Sequence, residues 1–88
     1  MRTIHVFVSG VVQGVGFRYF TKYVAEELGI KGWVRNLEDG RVEIKATGPE
    51  ESIRKFLNKI REGPPLAEVR HVSVEDEPLE EFTSFEII

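Results

Sequence analysis

The order in which the hydrophobic period changes along the chain narrows the fold more than any other feature. From Thr3 to Ser9 the period is two, with Ile4, Val6 and Val8 on one side and His5 and Phe7 on the other, as in a half-buried strand. Phe17, Phe20, Val24 and Leu28 then recur at helical spacing, with Lys22, Glu26 and Glu27 mainly off the stripe. Gly29 stands where a helix commonly ends in a left-handed residue. Period two returns over residues 30–36 and again over 41–46, around a Leu37-Glu38-Asp39-Gly40 turn whose Asp-Gly pair favours a hairpin. Gly48-Pro49 opens a second helix with an apolar stripe of Ile53, Phe56, Leu57 and Ile60. Its acidic start and basic end suit the helix dipole, and Glu50 with Arg54 and Glu51 with Lys55 stand at i,i+4. After Gly63-Pro64-Pro65, residues 68–76 read as a fourth strand, with Val72 and Val74 on one face and Val69 and His71 on the other. Residues 82–87 read as a short final strand.

An order of β-α-β-β-α-β in 88 residues leaves few ways to bury both helices. It predicts an α/β (α+β) ferredoxin-like sandwich, residues 1–88 forming one domain: an antiparallel sheet, two helices on one of its faces, and a short additional C-terminal strand. With no cysteine and only two histidines, a disulfide frame, a thiolate metal site and a zinc cage are all excluded, so the core must hold by packing alone. The formal charge of −3 argues against a broad nucleic-acid surface. No apolar run approaches the roughly 18 residues of a membrane span, and Met1-Arg2-Thr3 leads straight into a strand, so the expected location is cytoplasmic. Charged residues make up 31% of the chain while Gln and Cys are nearly absent, a balance that suggests a hot environment.

The first strand runs into Gly10-Val11-Val12-Gln13-Gly14-Val15-Gly16, and this loop runs into the first helix with Arg18 at its mouth. Glycines allow the backbone to curl and bring its N–H groups near a ligand, and a helix start adds unpaired N–H groups that favour negative charge. A P-loop would need Gly-Lys-Ser/Thr where Gly16-Phe17-Arg18 stands; the dinucleotide fingerprint would need a glycine where Tyr19 stands. Two readings remain: an anion cradle completed by the Arg18 fork, or a plain turn whose arginine pairs with a carboxylate. Asn36 ends the row Gly32, Val34, Asn36 and so points toward the core, where a polar side chain needs partners; the alternative is that it caps the hairpin turn. Tyr19 and Tyr23 could flank a ligand, but packing is the commoner use of such a pair. His5 and His71 read as ordinary surface or packing residues, and the acidic run 75–81 as a solvated loop.

Taken together, the loop 8–18 and Gly32-Trp33-Val34-Arg35-Asn36, followed by Gly40, Val42 and Gly48, make the chain resemble the acylphosphatase family, over essentially its whole length. The resemblance implies hydrolysis of the carboxyl-phosphate bond of small acyl phosphates to a carboxylate and inorganic phosphate, with no metal and no cofactor. Arg18 falls on the family's phosphate-binding arginine and Asn36 on the asparagine that orients the attacking water. The backbone amides of Gln13, Gly14, Val15, Gly16, Phe17 and Arg18 fall on the phosphate cradle. Ile87-Ile88 stands where the basic-aromatic ending common among relatives would be, a departure from the family's pattern.

No carboxylate or histidine lies between Gly10 and Arg18. A mixed anhydride tolerates that lack, because its leaving carboxylate is a weak base and phosphoryl transfer mainly asks for positioning and charge stabilisation. The family picture has the substrate's own phosphate take the water's proton. The expected partner is a small acyl phosphate, with neither nucleic acid nor membrane, in a monomer or weak dimer joined through an edge strand. A non-catalytic anion-binding module of a larger carbamoyl-handling protein is the rival; because the chain ends at Ile88, a free-standing enzyme is the simpler expectation. An RNA-binding sandwich would need stacked aromatics on a basic face, and Arg41, Glu43 and Lys45 alternate in sign.

Overall fold

The computed structural model describes residues 1–88. In chain order the elements are β1 (Arg2–Val11), α1 (Phe17–Glu27), β2 (Lys31–Asn36), β3 (Val42–Gly48), α2 (Glu50–Glu62), β4 (Glu68–Glu77) and β5 (Phe85–Ile87). The strands form one sheet in the order β4-β1-β3-β2-β5. The β4-β1-β3-β2 part is antiparallel throughout, as the order of elements predicts. The additional C-terminal strand, to which the sequence assigned no direction, makes the sheet mixed: β5 pairs parallel to β2, with Gly32 opposite Phe85 and Val34 opposite Ile87. The cause is directional, since β2 and β4 run oppositely and a segment returning from β4 to the far edge must run with β2. On the way it is fastened beneath the sheet, where the Glu80 carbonyl accepts from Thr47 Oγ1 at 2.7 Å and Glu80 N–H donates to Thr3 Oγ1 at 2.9 Å.

Both helices lie on one face. Ile4, Val6 and Val8 of β1, Val34 of β2, and Val42, Ile44 and Ala46 of β3 meet Phe17, Val24 and Ala25 of α1 and Ile53, Phe56, Leu57 and Ile60 of α2. Fully burying an aliphatic or phenyl side chain of this kind contributes about 1.5–3 kcal/mol, the main term available to a chain without disulfides. Thr21 shares the buried face of α1 because its hydroxyl donates back to the Phe17 carbonyl at 2.9 Å.

Three local expectations change. The β1–β4 register shifts at Ser9/Gly10, pairing Ser9 with His71 and Gly10 with Val69 and skipping Arg70, so Val69 turns back to the core side with Val72 and Val74. On α2 the i,i+4 ion pairs give way to Arg54 with Glu51 and to Glu50 with Arg2, which also holds Asp76 at 2.7 Å. Tyr19 and Tyr23 do not pack: they are 73% and 64% exposed, because Phe17, Thr21, Val24 and Ala25 occupy the inner face of α1.

The other face of the sheet carries ion pairs between aromatic rings. Glu43 is only 6% exposed, and its carboxylate meets His5 Nε2 and Arg35 Nε, each at 2.6 Å. Burial pushes the Glu43 carboxyl up, but the hydrogen bonds from His5 and Arg35 together outweigh it and hold the group below the usual glutamate range. The Arg35 guanidinium lies over Trp33 at 5.4 Å and that of Arg41 over Phe7 at 4.8 Å. His5 is thus a satisfied structural residue.

Candidate active site

The connection from β1 to α1 turns on Gly14 and Gly16, whose φ angles are 73° and 79°. A side chain in the left-handed region costs roughly 1–2 kcal/mol, so glycine suits both positions. Gly16 is the N-cap of α1 and no side chain caps it. The first N–H here to find a protein acceptor is that of Phe20, which donates to the Gly16 carbonyl at 3.0 Å; those of residues 13–19 have none. A run of unpaired amides at the positive end of a helix is the geometry that binds oxyanions.

Five of those residues, Gly14, Gly16, Phe17, Arg18 and Tyr19, line a pocket of about 120 Å³ together with Val12 and Asn36. Its volume is about four times the ~30 Å³ that a water occupies in the liquid, enough for a phosphoryl group and one water. The chain thus brings Arg18 and Asn36, eighteen positions apart in sequence, into one small pocket. Gln13 and Val15 do not line it: Val15 packs against the core, and the Gln13 side chain turns toward the β2–β3 hairpin. Val12 is buried at the pocket wall and Tyr19 stands exposed at its rim; the alternating pattern gave Val12 no such role.

Two observations choose between the readings left open by the sequence. Arg18 is half-buried and makes no ion pair or hydrogen bond with the protein; Arg2, Arg35, Arg41, Arg54 and Arg70 hold carboxylates, and Arg61, likewise unpaired, is exposed on α2. The plain-turn reading, in which Arg18 pairs with a carboxylate, is not realised. Asn36 ends β2 opposite Val42, and its Oδ1 is buried with no hydrogen-bond partner. Leaving such a group unsatisfied costs about 1–3 kcal/mol. Asn36 does not cap the turn either, because Leu37 N–H donates to the Arg41 carbonyl at 2.8 Å, Gly40 N–H to the Leu37 carbonyl at 3.2 Å, and Asp39 Oδ1 accepts from Arg41 N–H at 3.1 Å.

No histidine or carboxylate lines the pocket. Nowhere in the chain do three or more His, Asp or Glu side chains stand close enough to hold a metal ion. A larger groove of about 440 Å³ between α1 and α2, lined by Tyr23, Lys55 and Lys59 among others, holds no buried side-chain polar atom without a partner.

The model of the acylphosphatase family matches residues 4–87. The chain belongs to the acylphosphatase family. It is 56% identical over 87 residues to the acylphosphatase of Archaeoglobus fulgidus, covering 99% of this chain and 98% of that one. To the acylphosphatase of Thermotoga maritima it is 51% identical, covering 99% and 97%. The crystal structure of acylphosphatase from Bacillus subtilis superposes with a TM-score of 0.97 at 42% identity, over 100% of this chain and 99% of that one. The acylphosphatase activity is hydrolysis of the carboxyl-phosphate bond of acyl phosphates, and the fold is the ferredoxin-like α+β sandwich with its added fifth strand. No helix of the chain is long and apolar enough to cross a membrane.

Proposed function

We propose that the hydrolysis is carried by Arg18, the loop amides from Gln13 to Arg18, and Asn36, with small acyl phosphates as substrates. The observation that supports this most is the pocket itself, where an unpaired guanidinium, unpaired amides and an unpartnered buried carboxamide oxygen meet. The amides and the Arg18 fork hold the nonbridging phosphoryl oxygens and neutralise their charge. Asn36 Oδ1 accepts a hydrogen bond from the attacking water and so aims its lone pair at phosphorus.

As the water oxygen bonds to phosphorus, the bond from phosphorus to the bridging oxygen breaks and the carboxylate leaves with the electron pair. A proton of the water passes to a phosphoryl oxygen of the substrate, giving dihydrogen phosphate. The absence of histidine and carboxylate from the lining suits a reaction whose leaving group needs no proton.

Residues 1–88 act as one domain in this scheme, working in the cytoplasm as a monomer or weak dimer and without nucleic acid. On the open face of the sheet, Arg35, Arg41 and Lys45 are held by Glu43, Asp39 and by Glu77 and Glu80, which leaves little positive field for a phosphate backbone. The charged composition suits a warm habitat, which a melting midpoint above the mesophile range of about 45–65 °C would support.

Titrating inorganic phosphate into 15N-labelled protein tests the cradle. Saturable shifts concentrated at the amides of residues 13–19 are expected, and shifts spread over the surface or absent from the loop contradict it.

A further inference from the structure

Gln13 does more than lend an amide to the loop. Its side-chain Nε2 donates to the Leu37 carbonyl at 2.7 Å and to the Arg41 carbonyl at 2.9 Å. Both partners are carbonyls, which only accept, so the NH₂ end must face them and both of its hydrogens are used. The same carbonyls also close the hairpin turn, receiving Gly40 N–H and Leu37 N–H. The residues from Leu37 to Arg41 are therefore knitted together and bolted to the connection that forms the cradle. Leu37 directly follows Asn36, so the latch fastens the strand end carrying the carboxamide to the loop carrying the amides.

We infer that the Gln13 side chain is a positioning residue that sets Asn36 over the cradle and acts on the reaction only through Asn36. The inference rests on the water-orienting reading of Asn36. It follows from the distances the reaction demands. The phosphate grip belongs to the loop and the first turn of α1, whereas the water's orientation belongs to β2, on a different part of the chain. Without the latch, the two halves are referenced to each other only through the pairing of β1 and β2 with β3 and the core beneath them. A misplacement of about 1 Å between reacting groups can cost on the order of 10²-fold in rate. A simple hairpin brace would make a different prediction, because it would lower the folded fraction while leaving the turnover of folded molecules unchanged.

The test is a double-mutant cycle with acetyl phosphate, read as kcat per folded molecule, alongside the inhibition constant of inorganic phosphate. Gln13→Met keeps length and loses both donors. Its kcat is expected to fall about 10- to 100-fold while the phosphate inhibition constant stays within about twofold, since the grip is not touched. In the Asn36→Ala background the same substitution is expected to change kcat less than about twofold, because its route of action is already gone. Equal losses in both backgrounds overturn the inference, as does an unchanged kcat in Gln13→Met or a rise of the phosphate constant that matches the fall in kcat. If Asn36→Ala itself turns over like the unsubstituted protein, the water-orienting reading fails and the inference fails with it; losses that merely multiply sink the inference alone. Should Gln13→Met not fold, Gln13→Glu carries the same cycle near neutral pH, where a carboxylate cannot donate to either carbonyl.

Discussion

Arg18 and Asn36 face one pocket from different elements: the arginine sits in the first turn of α1, the asparagine is the last residue of β2, and neither side chain is engaged by another protein group. Antiparallel pairing of β1 with β3 and of β3 with β2 carries the start of α1 and the end of β2 to the same end of the sheet. The groups are thus held in place by the sheet's register, and the hydrogen-bonding capacity left over is directed at a ligand.

The guanidinium fork is specific in shape as well as charge. Arg18→Lys keeps the charge but replaces a planar bidentate donor with a point donor, and a loss of kcat/KM of at least about 10²-fold is expected. Hydrolysis of acetyl phosphate, with circular dichroism to confirm folding, measures it.

Gly16 answers a backbone requirement. Nothing lies within 4 Å of a Cβ built there, so Gly16→Ala meets no clash, and its cost comes from the left-handed φ of 79°. A loss of about 1–2 kcal/mol of unfolding free energy is expected in denaturant titration, with weakened phosphate binding as the N-cap relaxes.

Glu43 predicts an acid limb in stability. Its carboxyl lies below its ordinary value in the folded protein, so the stabilisation is present in full above the unfolded glutamate value of about 4.3 and is lost as pH falls through the folded value. Unfolding midpoints between pH 3 and 6 are expected to drop less steeply toward acid in Glu43→Gln than in the unsubstituted protein. Parallel curves for the two proteins contradict the assignment.

Much of this could be read from the chain because the patterns were local. The period-two and helical stripes marked both helices and the strands in chain order, and the glycine-rich loop, Arg18 and the inward Asn36 stood out as candidates, with a plain turn and a turn cap still open beside them. What escaped depended on distant partners. The parallel pairing of β5 follows from the direction in which the chain crosses the sheet, and Val69 returned to the core because the ladder skips Arg70. Glu43 looked like one of several alternating surface charges; only its neighbours His5 and Arg35, on two other strands, allow it to be buried. The Gln13 latch was hidden for a similar reason, since its acceptors are main-chain carbonyls 24 and 28 positions away, which no residue type announces.

The turnover of acetyl phosphate by Asn36→Ala, measured together with its inhibition constant for inorganic phosphate, tests the aimed water most directly. Removing one preorganised group of this kind typically costs on the order of 10²–10³ in rate, so kcat is expected to fall by at least that much while phosphate binding holds. A variant that folds and turns over acetyl phosphate within a few-fold of the unsubstituted protein would contradict the account.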